Sequence, residues 1–137
     1  MDREIVEQKL ESLRRCLLRI ETKCPSDAAT LAADIDLQDI VSLNLSRAVQ
    51  ISVDIGAHLI AGMEVPPPDT MGQTFELLAQ EGVLSNELAS SLKKAVGFRN
   101  IAVHSYENIN WAIVYSIVKY HLSDFSEFAK VVAVRLQ

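Results

Sequence analysis

Glycine, proline and cysteine are scarce in this chain, which has five glycines, four prolines and two cysteines among 137 residues. Collagen-like and low-complexity chains are rich in glycine and proline, so both classes are excluded. Cys16 and Cys24 lack the pattern of a metal site, and we expect both to be free thiols in a reducing compartment. Because 49% of the residues are hydrophobic, the composition favours a folded globular chain.

Long apolar runs are also missing. No stretch approaches the ~20 consecutive apolar residues that a membrane-spanning helix needs. The first residues, Met1-Asp2-Arg3-Glu4, do not begin an apolar segment of the kind found in signal peptides. We therefore expect a cytoplasmic protein without a membrane partner, folded as a single domain over residues 1–137.

The net charge of −5 weighs mildly against a nucleic-acid partner, because affinity for polyphosphates usually comes from a basic surface. Although the chain is acidic overall, it has two local clusters of basic residues. One contains Lys93, Lys94 and Arg99, and the other contains Arg14, Arg15 and Arg19. Taken alone, each cluster is more typical of a solvated helix face than of a binding site.

Apolar residues recur at helical spacing through most of the chain, and strand signals are scarce. The pattern predicts five helices, at about 2–23, 36–61, 72–81, 86–102 and from 108 or 110 to the C-terminus. Asp36 and Ser85 are expected to cap the second and fourth helices, and Gly82 to end the third. Pro66-Pro67-Pro68 is expected to be a stiff connector inside the domain. These elements predict an all-α, up-and-down bundle around one core.

The segment from Arg99 to Tyr106, with the sequence Arg-Asn-Ile-Ala-Val-His-Ser-Tyr, holds the most informative side chains. Arg99 is a permanent cation whose planar donors fit a phosphate, and the imidazole of His104 exchanges protons near neutral pH. RNA cleavage without a metal needs a base for the 2′-hydroxyl, an acid for the departing 5′-oxygen and a positive group for the phosphoryl oxygens. We therefore assign phosphate binding to Arg99 and proton transfer to His104.

Two neighbouring side chains receive auxiliary roles, and the spacing of the motif restricts its geometry. Asn100 is expected to bind the substrate or to hold the arginine, and Tyr106 to orient the phosphate. Positions 99 and 104 point ~140° apart on a regular helix, so they cannot meet over one phosphate. Either the helix ends between them and the chain curls back, or two copies of the motif face each other in a dimer.

The order of Arg99, four residues, His104, one residue and Tyr106 resembles the signature of the HEPN superfamily, and specifically of its HepT-like toxins. The resemblance covers nearly the whole chain, and the segments 36–39 and 44–48 are also similar to the second helix of the family. It implies a five-helix HEPN-type bundle that forms a homodimer with a composite cleft. It further implies a metal-independent endoribonuclease toxin that needs no cofactor and takes RNA as its substrate.

The same resemblance implies a protein partner, an MNT-type nucleotidyltransferase antitoxin that transfers AMP to the motif tyrosine. Tyr106 stands at that position. One AMP would add a bulky phosphodiester with a negative charge beside Arg99 and His104, and such a group should occupy the arginine and repel RNA.

Other assignments remain open from the residues alone, because arginine and histidine near a helix end also bind backbone carbonyls there. The chain could be a non-catalytic helical subunit that binds nucleotide or supports a nucleotidyltransferase, which would have no need of His104 as a proton carrier. It could also be a plain helical dimerisation module. The two other histidines, His58 and His121, are expected to pack in the core or at an interface.

Overall fold

The computed structural model describes residues 2–137, and within them it consists of α-helices joined by short connections. Six α-helices occur in this range: α1 (Arg3–Lys23), α2 (Ala28–Ala33), α3 (Ile35–Ala61), α4 (Met71–Gln80), α5 (Asn86–His104) and α6 (Trp111–Arg135). One turn of 3₁₀-helix, Tyr106–Asn108, lies between α5 and α6. The all-α prediction is confirmed, and no strand is found among the described residues.

The structure differs from the sequence prediction around residue 30. Ala28–Ala33 form a separate short helix, α2, that brings the number of helices to six. Leu31 is its single buried residue, so the segment has no apolar repeat from which a helix could be predicted. The next helix begins at Ile35 with Asp34, and not Asp36, as its N-cap; the Asp34 carboxylate accepts a hydrogen bond of 3.1 Å from a backbone N–H.

The other helix ends follow the expected capping chemistry. Ser85 caps α5 through its hydroxyl, and Asn110 caps α6 by accepting two backbone N–H groups. Gly82 follows α4 with a φ of +75°, a conformation that glycine adopts without strain. The helix α5 extends to His104, two residues beyond its predicted end.

The helix α3 lies at the centre of the bundle and contacts the other five helices. Its neighbour α4 approaches closely at Gly56, where a Cβ atom would lie 2.6 Å from Cγ2 of Thr74. Phe75 of α4 packs edge-on against Phe128 of α6, with ring centroids 5.9 Å apart. These contacts join α3, α4 and α6 around one apolar core, against which α5 presents one face.

Two smaller observations concern the bundle as a whole. Within residues 2–137, no helix has both the length and the apolar content needed to cross a bilayer. Cys16 is buried and Cys24 half-buried, both are free thiols, and burial raises the pKa of each.

Candidate functional site

Arg99 and His104 lie on the same uninterrupted helix, because α5 continues to His104. The helix therefore does not end between them, and the chain does not curl His104 back over Arg99. On a regular helix the two side chains point ~140° apart and are displaced by ~7.5 Å along the axis. Arg99 is half-buried and His104 is exposed. In one chain the two groups thus face different directions.

Both side chains are available for a ligand. Within residues 2–137, neither the guanidinium of Arg99 nor the imidazole of His104 forms a side-chain hydrogen bond or an ion pair. Asn100 is exposed beside them, and no hydrogen bond joins its amide to Arg99 in the described chain, so it does not hold the arginine within one chain. The motif therefore presents a free cation and a free proton carrier at the end of α5.

The two basic clusters noted in the sequence are partly neutralised. Lys93 forms an ion pair with Glu76 of α4, which leaves Lys94 and Arg99 as the basic residues of that cluster without an ion pair in the range 2–137. On α1, Arg14 binds Glu11 at 2.7 Å, and this hydrogen bond lowers the pKa of the Glu11 carboxyl to about 2. In the α1 cluster, Arg14 and Arg15 thus pair with an acid of their own exposed face, whereas Arg19 forms no ion pair within residues 2–137.

Tyr106 is brought onto the surface of α3 by the 3₁₀ turn that follows α5. Its hydroxyl donates a hydrogen bond of 2.6 Å to Oδ1 of Asp39, and its ring packs edge-on against Trp111 at 6.0 Å. Partial burial raises the pKa of the phenol, the Asp39 carboxylate raises it further, and the Ser42 hydroxyl opposes the shift. With 40% of its surface exposed, Tyr106 remains accessible.

Asp39 is the residue of this site that sequence reasoning missed as a partner of Tyr106. The two positions are 67 residues apart, and Asp39 shows in the sequence only as an acidic residue near the start of a helix. The 3₁₀ turn that brings Tyr106 to Asp39 has no apolar repeat from which it could be predicted. No signal in a single sequence links the pair.

An apolar groove of about 560 Å³ runs between α5 and α6 beside the motif. Its wall includes Ile101, which lies between Arg99 and His104, and Ile113 at the start of α6; these side chains are 45% and 57% exposed. Val103, also on α5, is 53% exposed. An exposed apolar area of this kind marks an interaction surface.

His121 also lines this groove, and its Nδ1 is 3.1 Å from Oδ2 of Asp124. Its side chain is 55% exposed, so the expected core position is wrong for His121, and an interface position stays a prediction. His58, near the end of α3, is half-buried.

Known proteins share this fold and have similar sequences. Residues 6–132 match the model of the family described as "Ribonuclease HepT-like". The chain is 37% identical over 129 residues to the mRNA nuclease HepT of Shewanella oneidensis. The alignment covers 94% of this chain and 96% of that protein.

Solved structures agree with the sequence matches. A tri-AMPylated Shewanella oneidensis HEPN toxin, in complex with an MNT antitoxin, superposes with a TM-score of 0.90 at 36% identity and covers 98% of this chain and 99% of its own. A chain from a toxin–antitoxin crystal structure with AMP-PNP gives the same TM-score and identity, with 96% and 98% covered. By its fold, its sequence and the family model that matches nearly its whole length, the chain belongs to the HepT-like ribonuclease family.

Proposed function

We propose that residues 1–137 form a single HepT-like domain that acts in the cytoplasm as the endoribonuclease toxin of a type II toxin–antitoxin system. The observation that carries this proposal is that α5 presents both Arg99 and an exposed His104, neither with a side-chain partner among residues 2–137, in a chain of this family. The similar protein from Shewanella oneidensis is named an mRNA nuclease, which supports RNA as the substrate class.

The chemistry follows from the two side chains. Arg99 binds the scissile phosphate and stabilises the negative charge that gathers on its oxygens in the transition state. His104 transfers protons during attack of the 2′-hydroxyl on phosphorus and departure of the 5′-oxygen. The product is a 2′,3′-cyclic phosphate or its hydrolysis product. Because these groups supply both charge and proton transfer, the reaction requires neither a metal ion nor another cofactor.

The active form is a homodimer with composite sites. Within one chain, Arg99 and His104 point ~140° apart on α5, so a phosphate that contacts both must be held between two chains. The apolar groove and the exposed Ile101, Val103 and Ile113 lie beside the motif, where a second copy would cover them. The exposed Asn100 contributes to substrate binding in the same cleft.

An MNT-type nucleotidyltransferase neutralises the toxin by transferring AMP to Tyr106. The accessible phenol of Tyr106 lies two residues beyond His104, so an adduct there would bring a phosphodiester to the entrance of the cleft. The added negative charge competes with RNA for Arg99. The similar toxin of known structure is tri-AMPylated and is bound to an MNT antitoxin, which supports this route.

An RNA-cleavage assay in EDTA tests the catalytic part of the proposal. The parent chain should cut RNA in the presence of the chelator, and His104→Ala should lose about 10²–10⁴-fold in rate, with a comparable loss for Arg99→Ala. Arg135→Ala, which removes an exposed arginine at the far end of α6, is the matched control and should cut at the parent rate. Loss of activity in EDTA, or full activity of either motif variant, would contradict the assignment.

A further inference from the structure

The hydrogen bond between Tyr106 and Asp39 joins the proposed AMP acceptor to a carboxylate of the same chain. The distance from the phenolic Oη to Oδ1 of Asp39 is 2.6 Å, in the range of a short hydrogen bond to a charged acceptor. Within residues 2–137, the Asp39 carboxylate forms no ion pair. Both residues are exposed, so a partner enzyme has access to them.

A phenol attacks phosphorus only if its proton is removed. Partial burial and the neighbouring carboxylate raise the pKa of Tyr106, so the phenol is neutral when the partner arrives. The proton must then leave as the oxygen–phosphorus bond forms, and its acceptor must already lie within hydrogen-bond distance. Among the described residues, Asp39 accepts the hydrogen bond from the Tyr106 hydroxyl.

We propose that Asp39 is the general base for the transfer of AMP to Tyr106, so that the modified chain itself supplies a catalytic group to the reaction of its partner. This inference rests on the proposed neutralisation. Oη of Tyr106 forms a bond to the α-phosphorus of ATP held by the nucleotidyltransferase, and the bond from that phosphorus to the oxygen bridging the β-phosphate breaks. Pyrophosphate leaves, and the phenolic proton passes to Asp39 and then to water.

The surroundings of the pair suit this role. Trp111 packs edge-on against the Tyr106 ring and limits its rotation, while the exposed part of the ring leaves a direction of approach for the nucleotide. The negative charge of Asp39 opposes the approach of a polyphosphate, but proton uptake neutralises this carboxylate as the new bond forms. Repulsion therefore falls on the way to the transition state.

The test measures the rate of AMP addition to the chain by its purified nucleotidyltransferase with ATP and magnesium, followed by intact-mass spectrometry. Asp39→Asn keeps the size of the side chain and an acceptor oxygen but removes the basic carboxylate. At saturating concentrations of chain, its rate should fall by about 10²-fold, with KM unchanged within a few fold. Asp36→Asn, an exposed residue one turn earlier on α3, removes the same charge and should be modified at the parent rate.

Two further measurements separate a base from a structural residue. Asp39→Asn should cleave RNA at the parent rate, which also shows that the variant is folded. Asp39→Glu restores a carboxylate and should be modified at least ~10-fold faster than Asp39→Asn. The inference is overturned if Asp39→Asn is modified as fast as Asp36→Asn, if only its KM changes, or if the Glu variant is no faster than the Asn variant.

The failure of this inference and the failure of the proposed neutralisation give different results. If the parent chain gains no AMP mass while the nucleotidyltransferase is active on ATP, the neutralisation route is wrong and the role of Asp39 falls with it. If the parent is modified at Tyr106 and Asp39→Asn is modified equally fast, the route stands and only the general base is refuted.

Discussion

A mixture of two inactive variants should regain RNA cleavage if the site is shared between two chains. Arg99→Ala retains His104, and His104→Ala retains Arg99. Because α5 is continuous and the side chains at the two positions point ~140° apart, we expect the arginine of one protomer to act with the histidine of its partner. In a mixed dimer, one of the two composite sites then contains both wild-type side chains, and the other contains neither.

The expected activity of the mixture follows from the proportions of the possible dimers. Random pairing of equal amounts makes ~50% of the dimers mixed, and each mixed dimer has one intact composite site out of two, so the mixture should reach ~25% of the parent activity. If Arg99 and His104 acted together within one chain, each chain of the mixture would lack one member of the pair. The activity of the mixture would then stay at the level of the separate variants.

The assay is co-expression of differently tagged variants, or their unfolding and joint refolding, followed by the initial rate of RNA cleavage per total chain. The double variant Arg99→Ala/His104→Ala mixed with the parent provides the inverse control. Shared sites predict ~25% of the activity of the parent alone, because mixed dimers have no intact composite site, whereas sites within one chain predict ~50%. A mixture of the single variants that shows mixed dimers but no recovery would refute the composite site.

Three further predictions concern neutralisation, assembly and packing. Tyr106→Phe should remain toxic in cells yet gain no AMP mass at this position and escape the antitoxin; silencing as complete as for the parent would favour simple occlusion of the cleft. Ile113→Glu, which places a charge beside the apolar groove, should shift sedimentation at micromolar concentration from dimer to monomer and reduce cleavage, whereas Val134→Glu on another exposed part of α6 should do neither. Gly56→Ala should lower the free energy of unfolding by about 1–3 kcal/mol in urea, because its methyl group meets Thr74 of α4, while Gly62→Ala, with an ordinary nearest contact of 3.6 Å, should change it by less than ~1 kcal/mol.

Most of the helices could be predicted because each one carries two independent signals. Apolar residues repeat at helical spacing, and short polar residues stand where the first backbone N–H groups need acceptors, as at Ser85 and Asn110. The helix α2 escaped prediction because a six-residue segment with one buried side chain has no period. The N-cap of α3 was predicted two residues too late because Asp34 and Asp36 are equally good capping residues by type.

The candidate site, too, could be predicted only in part from the sequence. Arg99, His104 and Tyr106 are close in sequence, so their chemistry could be proposed before the fold was known. Whether the helix continues from Arg99 to His104 could not be predicted, nor could the position of Tyr106, because the end of α5 and the following turn of 3₁₀-helix decide them. The Asp39 contact depends on tertiary structure alone, because it joins two helical regions 67 residues apart.

The position of Tyr106 explains how one covalent group could control a site to which the tyrosine itself need not contribute. Ser105 separates it from His104, and the hydrogen bond to Asp39 holds the phenol against α3. Once AMP is attached, Oη no longer has a proton to donate, and the phosphodiester and Asp39 carry like charges. The bond that held the ring is thereby lost, and repulsion favours movement of the adduct away from Asp39 and towards positive charge. Arg99, which has no acidic partner within the described chain, is the cation of the adjacent motif. In the proposed mechanism, the contact with Asp39 thus prepares Tyr106 for modification, and its loss releases the modified residue towards Arg99.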